Sequence, residues 1–416
     1  MYKIYFKQAI QILRQNMVMS IIAILGTALA IMMITSIIVA EEARSISVAP
    51  EINRHRTYYI VRQVLRDSVN NSHWSSNFSF DNYYSHFRDL EIPELTSVNM
   101  NANKPLSVEG MKVRENARVK YTDTDYFKII SLSFLEGRAF MEEEFQSGVK
   151  CAIISEGMAK KLMKDENPLE RTLLIDKAPY RIIGVVKDVS AVFQQAKSDV
   201  WVPYTSREKN DGAVHFMMLA RDKKDYPAMY AELRERERRY NSDNEPKTIS
   251  VVGPVIHQHS IMDWYPNSEE ELKEKVNVQS RKKWLIIALL ILVPAINLSG
   301  FSFSRIKKRM SEIGVRKAFG AKKYIILIQV LYENFITSLL GGILGLIGSY
   351  IIIVLMKEWL LDIPSHNSVP VGALVSPMVF LAVFVFCLVI NLLSSGIPAW
   401  KASRVVITNS LNQNDK

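Results

Sequence analysis

Four long stretches of this chain carry almost no charge, and they constrain the fold more than any other feature. Met17–Ala40, Trp284–Ser304 and Val375–Pro398 contain no acidic or basic side chain, and Tyr324–Met356 contains one, Glu333. A helix needs about 20 apolar residues to cross the hydrocarbon core of a bilayer, and every stretch is long enough. Helices of soluble domains average roughly 10–14 residues, so four longer ones point to a multi-pass membrane protein. Lys3, Lys7 and Arg14 precede the first stretch in the manner of a signal peptide. The apolar region of a signal peptide is only about 7–15 residues long, so an uncleaved anchor is expected.

Charge sets the expected orientation. Basic residues collect on the cytoplasmic side, counted over short loops. Residues 1–16 hold Lys3, Lys7 and Arg14 without an acid, and 305–323 hold eight basic residues against Glu312 alone. The tail after Pro398 adds Lys401, Arg404 and Lys416 against Asp415. Arg281, Lys282 and Lys283 lie on the other side of the second stretch but are fewer. Both termini are therefore expected in the cytoplasm. The expected order is a cytoplasmic segment (1–16), a span (17–40), an outer domain (41–283), a span (284–304), a cytoplasmic loop (305–323), a span (324–356), a short outer loop (357–374), a span (375–398) and a cytoplasmic tail (399–416). The net charge of +10 then belongs to the cytoplasmic face, which removes the case for nucleic-acid binding.

Residues 2–14 place Tyr2, Phe6, Ala9 and Leu13 at helical spacing, with Lys3, Lys7 and Arg14 opposite. That pattern suits an amphipathic helix lying on membrane lipid. The outer domain alternates short β-type runs with helical patterns, which argues for a mixed α+β fold. The runs are Ser97–Met100, Ala117–Tyr121, Lys150–Ile154, Thr172–Ile175, Tyr180–Val186, Val200–Val202 and His215–Ala220. Glu156–Met163 and Tyr226–Tyr240 read as helices, the second as a solvated charged face. Residues 67–87, rich in Ser, Asn and aromatics, read as irregular.

Catalytic motifs are missing from the sequence: it contains no GxxxxGK[ST], HExxH, CxxC or GxSxG. No catalytic residue, metal site or bound cofactor is expected. His257 and His259 have no third ligand nearby and read as a surface pair. There are two cysteines: Cys151 reads as a small buried residue, and Cys387 lies in the last span. Glu333, an intramembrane charge, is a functional candidate by default, although snorkelling or an interhelical hydrogen bond accounts for it equally well.

The cytoplasmic loop Arg305–Gly320 reads RIKKRMSEIGVRKAFG. Met310, Ile313, Val315 and Phe319 are apolar among basic residues, which suits a short helix half-buried between membrane and partner. A loop that merely obeys the positive-inside rule fits as well. Within the run Ser311–Tyr350, Glu312, Ile313, Gly314, Val315, Arg316, Lys317, Ala318, Gly320 and Ala321 resemble the EIG-[IV]-RKA-x-GA segment of MacB-type, FtsX-like ABC permeases. The small residues Gly341, Gly342 and Gly345 after Glu333 fit the same family, and the Gly341–Gly345 spacing lets helices pack closely in lipid. Outer-domain words occur in the family's order: Asp125-Tyr126-Phe127, Leu135-Glu136-Gly137-Arg138, Ser155-Glu156, Ala159-Lys160-Lys161, Asn167-Pro168-Leu169 and Ile183–Asp188. Pro398–Arg404 matches the family's exit from the fourth span, whereas Val406 and Ile407 replace its usual acidic residue and proline.

The resemblance implies a role. The segment 312–321 rests on an ABC ATPase, carried here by a separate chain that binds the ATP and Mg²⁺. The spans transmit ATP-driven movement to a MacB-like periplasmic core domain, with a membrane-proximal part (41–120 and 206–283) and an inserted part (121–205). A second permease subunit, identical or paralogous, and a periplasmic adaptor are the further expected partners. The inner membrane is the expected location. Export of peptides, antibiotics or other amphiphiles is the first expected function. Lipoprotein release and signalling to a cell-wall hydrolase are the alternatives.

Overall fold

The computed structural model describes residues 11, 14–15, 17–43, 47–60, 62–110, 113–164, 166–191, 193–208, 213–253, 268–308, 313–315, 318–320, 322–356 and 377–404. The expected amphipathic helix 2–14, the outer loop 357–374 and the pair His257/His259 lie largely or wholly outside these residues. The chain divides into two units, one formed by residues 43–279 and the other by the helical segments before and after them.

The helical unit begins with α1 (Met17–Ala43, 27 residues). Two of its helices, Met17–Val39 within α1 and the later Lys323–Leu355, are long and apolar enough to cross a membrane. The stretch 284–304 and residues 377–398 of the last stretch also fall in helices, as described below.

Among the described residues the other unit has thirteen strands: β1 (Thr57–Ile60), β2 (Arg62–Asp67), β3 (Ser72–Ser76), β4 (Phe78–Ser79), β5 (Leu95–Val108), β6 (Arg114–Thr122), β7 (Phe134–Gly137), β8 (Cys151–Ser155), β9 (Thr172–Ile175), β10 (Ala178–Val186), β11 (Val200–Pro203), β12 (Ala213–Leu219) and β13 (Lys247–Val252). Each run read from sequence falls on a strand to within a residue, some alternating between half-buried and buried as Thr172–Ile175 does and others, such as Val200–Val202, buried throughout. Ten strands form one sheet in the order β1-β12-β5-β6-β11-β8-β10-β7, with β4 on β12 and β9 on β10 and β5. A second sheet is β13-β2-β3. Most pairs are antiparallel, with parallel β8–β10 and β6–β11. The larger sheet crosses the division drawn at residues 120 and 205 through the pairing of β6 with β11.

Residues 67–87 are ordered, contrary to the irregular reading. They form the β2–β3 hairpin, β4, and a helical stretch ending in a π-helix at Tyr83–Phe87. Phe78, Phe80, Tyr83 and Phe87 are almost fully buried. Phe78 meets Phe87 and Phe216 edge-on, at 5.4 and 5.1 Å between ring centroids. Apolar periodicity missed this segment because neither a strand nor an α-helix repeat runs through it.

Helix α2 (Glu156–Met163) and helix α3 (Tyr226–Asp243) lie where the patterns put them. The charges on α3 are more than a solvated face. Glu232 accepts the backbone N–H groups of Glu91 and Ile92 at 2.6 and 3.0 Å, and Arg236 donates to the Asp89 carbonyl at 2.6 Å. Arg234 donates to Glu269 and to the Val251 carbonyl, both at 2.9 Å. Met229 and Leu233 fill the buried side.

Sequence words far apart in the chain converge on one corner of the large sheet. Gly137 of β7 lies opposite Gly184 of β10. Arg138 grips Glu144 with two hydrogen bonds, at 2.7 and 2.8 Å, which hold that carboxyl down at about 2. Ser155 caps α2 through the Met158 N–H, and Asp188 accepts the Gly157 N–H at 2.9 Å. Gly137 has φ +73°, and a Cβ there would lie 2.1 Å from the Ile183 carbonyl oxygen. Gly137→Ala combines a left-handed backbone with a clash against main chain, and is expected to cost about 2 kcal/mol or more. Chemical denaturation of the full chain checks this, and a loss under about 0.5 kcal/mol, the usual range for a surface substitution, contradicts it.

Cys151 is fully buried, and burial pushes its thiol up to about 12. A thiol that stays protonated is inert, as expected of a small core residue.

Candidate functional site

The candidate site is the segment joining two long helices, together with the helix faces behind it. Helix α4 (Glu269–Lys308, 40 residues) contains the apolar stretch 284–304. Its first turns are tied to the strand unit. Glu269 accepts from Tyr230 Oη at 2.8 Å and from Arg234, and Leu272 packs with Val64 and Val252. Helix α5 (Lys323–Leu355) and helix α6 (Pro377–Arg404) complete the helical unit.

Between α4 and α5, Ile313–Val315 form a helical turn, and the Phe319 N–H donates to the Val315 carbonyl at 3.1 Å. Gly320 takes φ +87°, the left-handed conformation that commonly ends a helix and suits glycine. Lys322 is extended, and α5 starts immediately after it. Gly314 is buried and Ile313 half-buried, while Val315, Ala318 and Gly320 are exposed. Phe319 is 88% exposed. Glu312, Arg316, Lys317 and Ala321 lie outside the described residues. The turn thus holds Gly314 and part of Ile313 inward and presents the Phe319 ring to the outside.

Behind this segment, α5 buries a stripe of small and polar residues: Glu333, Asn334, Thr337, Ser338, Gly341, Gly342, Gly345 and Ser349. The glycines set how closely neighbouring helices approach. A Cβ on Gly341 would lie 2.8 Å from both the Ile24 carbonyl oxygen and Thr27 Cβ. On Gly345 it would lie 2.7 Å from the Ala28 carbonyl oxygen and 2.9 Å from Ile31 Cβ. On Gly342 it would meet the Phe384 ring at 2.4 Å. Gly341 and Gly345 therefore face α1, and Gly342 faces α6. Ile31 and Ile34 of α1 join Val383 and Cys387 of α6 in one apolar cluster. The partners on α1 and α6 were not readable from sequence, because spacing identifies a close-packing face without saying what packs on it.

Glu333 is buried, with 5% exposure, and its own carbonyl accepts from the Thr337 hydroxyl at 3.0 Å. Its side chain therefore does not snorkel to the helix surface. The described residues hold no group of three or more His, Cys, Asp or Glu side chains arranged to bind a metal.

Comparison with known proteins places both units. Residues 20–236 match the family model described as MacB-like periplasmic core domain, and residues 284–407 match the FtsX-like permease C-terminal model. The chain is 22% identical to the macrolide export ATP-binding/permease protein MacB 2 of Aeromonas hydrophila, over 88% of this chain and 55% of that protein. It thus spans about half the length of that relative. It is 26% identical to the ABC transporter permease YknZ of Bacillus subtilis, over 71% of each chain. Among solved structures it is similar to the periplasmic region of MacB from Actinobacillus actinomycetemcomitans, with 17% identity and a TM-score of 0.36 over 48% of this chain and 89% of that one.

Proposed function

The chain belongs to the MacB-type ABC transporter permeases, with their MacB-like periplasmic core domain and FtsX-like C-terminal region, and from that premise we propose that it passes ATP-driven movement from a separate ABC ATPase to its outer domain. In this reading α1, α4, α5 and α6 cross the cytoplasmic (inner) membrane with both termini inside. The unit 43–279 then stands outside, held by α1 and α4. ATP and Mg²⁺ belong to the ATPase, and this chain has the role of a lever.

One observation carries the reading. The turn Ile313–Gly320 lies in a strongly basic segment between α4 and α5, and its one large aromatic, Phe319, is almost fully exposed. A lone exposed ring in a short charged loop gains nothing from water, whereas it becomes an anchor in a partner's pocket.

Two permease subunits, as homodimer or paralogue pair, and a periplasmic adaptor complete the proposed assembly. Export of peptides, antibiotics or other amphiphiles from the outer face is the proposed outcome. The test is capture of the full chain from membranes with its bound proteins. An ABC ATPase is expected with the wild type. Phe319→Asp is expected to weaken that capture by about 2 kcal/mol, roughly thirtyfold in affinity. Full retention by the variant contradicts the anchor, and absence of any ATPase contradicts the reading. A captured adaptor supports export, whereas a bound lipoprotein or cell-wall hydrolase redirects the proposal to extraction or signalling.

A further inference from the structure

Two polar side chains in the strand unit are completely buried and have no partner among the described residues. Lys120 of β6 is 0% exposed, and its Nζ makes no hydrogen bond. Asn99 of β5 is 0% exposed, and both its Oδ1 and its Nδ2 are unpartnered. The register sets Asn99 opposite Thr122 and Asn101 opposite Lys120. The two are therefore diagonal neighbours on one face of the hairpin, within reach of a long side chain. A buried polar group is normally paired, and an orphan calls for a water, an ion or a ligand. Two orphans side by side make that requirement sharper.

The charges around Lys120 show what is missing. Burial pushes its ammonium down to about 7, Arg118 pushes in the same direction, and Glu51 opposes them. The Glu51 carboxylate is already engaged, accepting from Arg54 Nε at 2.7 Å and from the Ala196 N–H at 2.9 Å. The Tyr126 ring lies 5.7 Å from Nζ and supplies partial relief through its π-face. Its hydroxyl is committed to the Gln195 carbonyl at 2.8 Å. Glu51 is thus shared between Arg54 and the Ala196 N–H, and no carboxylate bonds to Lys120 Nζ.

A surface groove of about 500 Å³ opens beside this region, lined by Asn103, Asn116, Arg118 and the segment Lys197–Asp199. Asn103 and Arg118 are cross-strand partners two positions along from Asn101 and Lys120, so they extend the same face outward. Ser198 donates to the Arg118 carbonyl at 2.7 Å and pins that segment at the groove's edge.

We propose that this face of β5 and β6 is a binding site for a small oxyanion, a carboxylate or phosphate, with Lys120 and Asn99 as its inner donors and Arg118 at its mouth. The ammonium and the amide NH₂ both donate to oxygen, and an oxyanion would supply the acceptor that Lys120 Nζ lacks. This site is independent of the coupling segment.

The test is thermal unfolding of the full-length permease in detergent micelles. Inorganic phosphate and succinate are titrated separately, against sodium chloride at matched ionic strength. At least one oxyanion is expected to raise Tm saturably where chloride does not, and the one that acts identifies the ligand chemistry. The shift is expected to vanish in Lys120→Met and to fall at least about threefold in Asn99→Leu, as loss of a charge-assisted and of a neutral hydrogen bond predicts. An equal response in wild type and Lys120→Met places the ion on the outer groove and overturns the proposal. No response to either oxyanion overturns it in favour of internal water. If Lys120→Met does not fold, equilibrium dialysis of labelled phosphate and of labelled succinate against wild type and Asn99→Leu decides. About one saturable site per chain, weakened in Asn99→Leu, is expected, and its absence overturns the proposal.

Discussion

Gly345→Leu is expected to break the packing of α1 on α5 and to destabilise the helical unit by about 3 kcal/mol or more. The glycine lets a main-chain carbonyl approach. Its missing Cβ leaves room for the Ala28 oxygen, 2.7 Å from where that Cβ would be, and for Ile31. Backbone cannot rotate away as a flexible side chain can, so the helices must separate. Separation also exposes the cluster of Ile31, Ile34, Val383 and Cys387. In lipid the association of helices rests on such close packing, because lipid tails are as apolar as leucine. Gly341→Leu, which meets the Ile24 oxygen and Thr27, is expected to behave alike. Gly26→Leu is the control, since nothing lies within 4 Å of its Cβ position. Unfolding in mixed micelles measures all three. Equal losses at Gly26 and Gly345 would show that helix propensity, not close approach, governs the effect.

Gly314→Trp is expected to uncouple ATP hydrolysis from work while leaving the strand unit folded. Gly314 is buried between half-buried Ile313 and exposed Val315. An indole there forces the turn away from its support and shifts Phe319, five residues on in the chain. Coupling free energies are typically about 1–3 kcal/mol, or roughly 5- to 150-fold, so loss of most of the ATP-dependent activity is the expected size. Glu312→Lys reverses the one acidic charge in a basic segment and is expected to act in the same direction. The measurement pairs transport or ATPase stimulation in reconstituted vesicles with the melting of the outer domain. Full activity in both variants would remove the segment's role as a lever. Loss of activity together with loss of the outer domain's melting transition would make the defect one of folding.

The strand unit was legible where a segment alternates or is a compact run of β-branched and aliphatic residues, as in Cys151–Ser155 and Val200–Pro203. Thr172–Ile175 and Glu156–Met163 match their elements end to end, since alternation and the Ser155 cap mark both. Strands β1, β2, β7 and β13 were not found, nor were β3 and β4 within the segment read as irregular. Thr57–Ile60 is buried at every position although two of its four residues are tyrosines and basic residues flank it, and β2 mixes charges with apolar residues. The aromatic segment 78–87 gave no period because its rings converge from a short strand, a turn and a π-helix. The segment 312–321 was singled out by its residue pattern, whereas the exposure of Phe319 was not visible there. An apolar residue in a basic loop reads the same whether it points inward or out.

Segregation of charge into short segments and of apolar residues into long ones set this protein's class, and local words set its turns and caps. These are properties of neighbouring residues, so sequence alone determines them. The tertiary structure decided which helix Gly341 and Gly345 admit, and it brought Gly137 against Ile183. It also buried Lys120 on a face whose outward continuation, Arg118, stays wet. Those outcomes depend on residues tens to hundreds of positions apart meeting in space, where close packing and desolvation act on whatever the fold brings together.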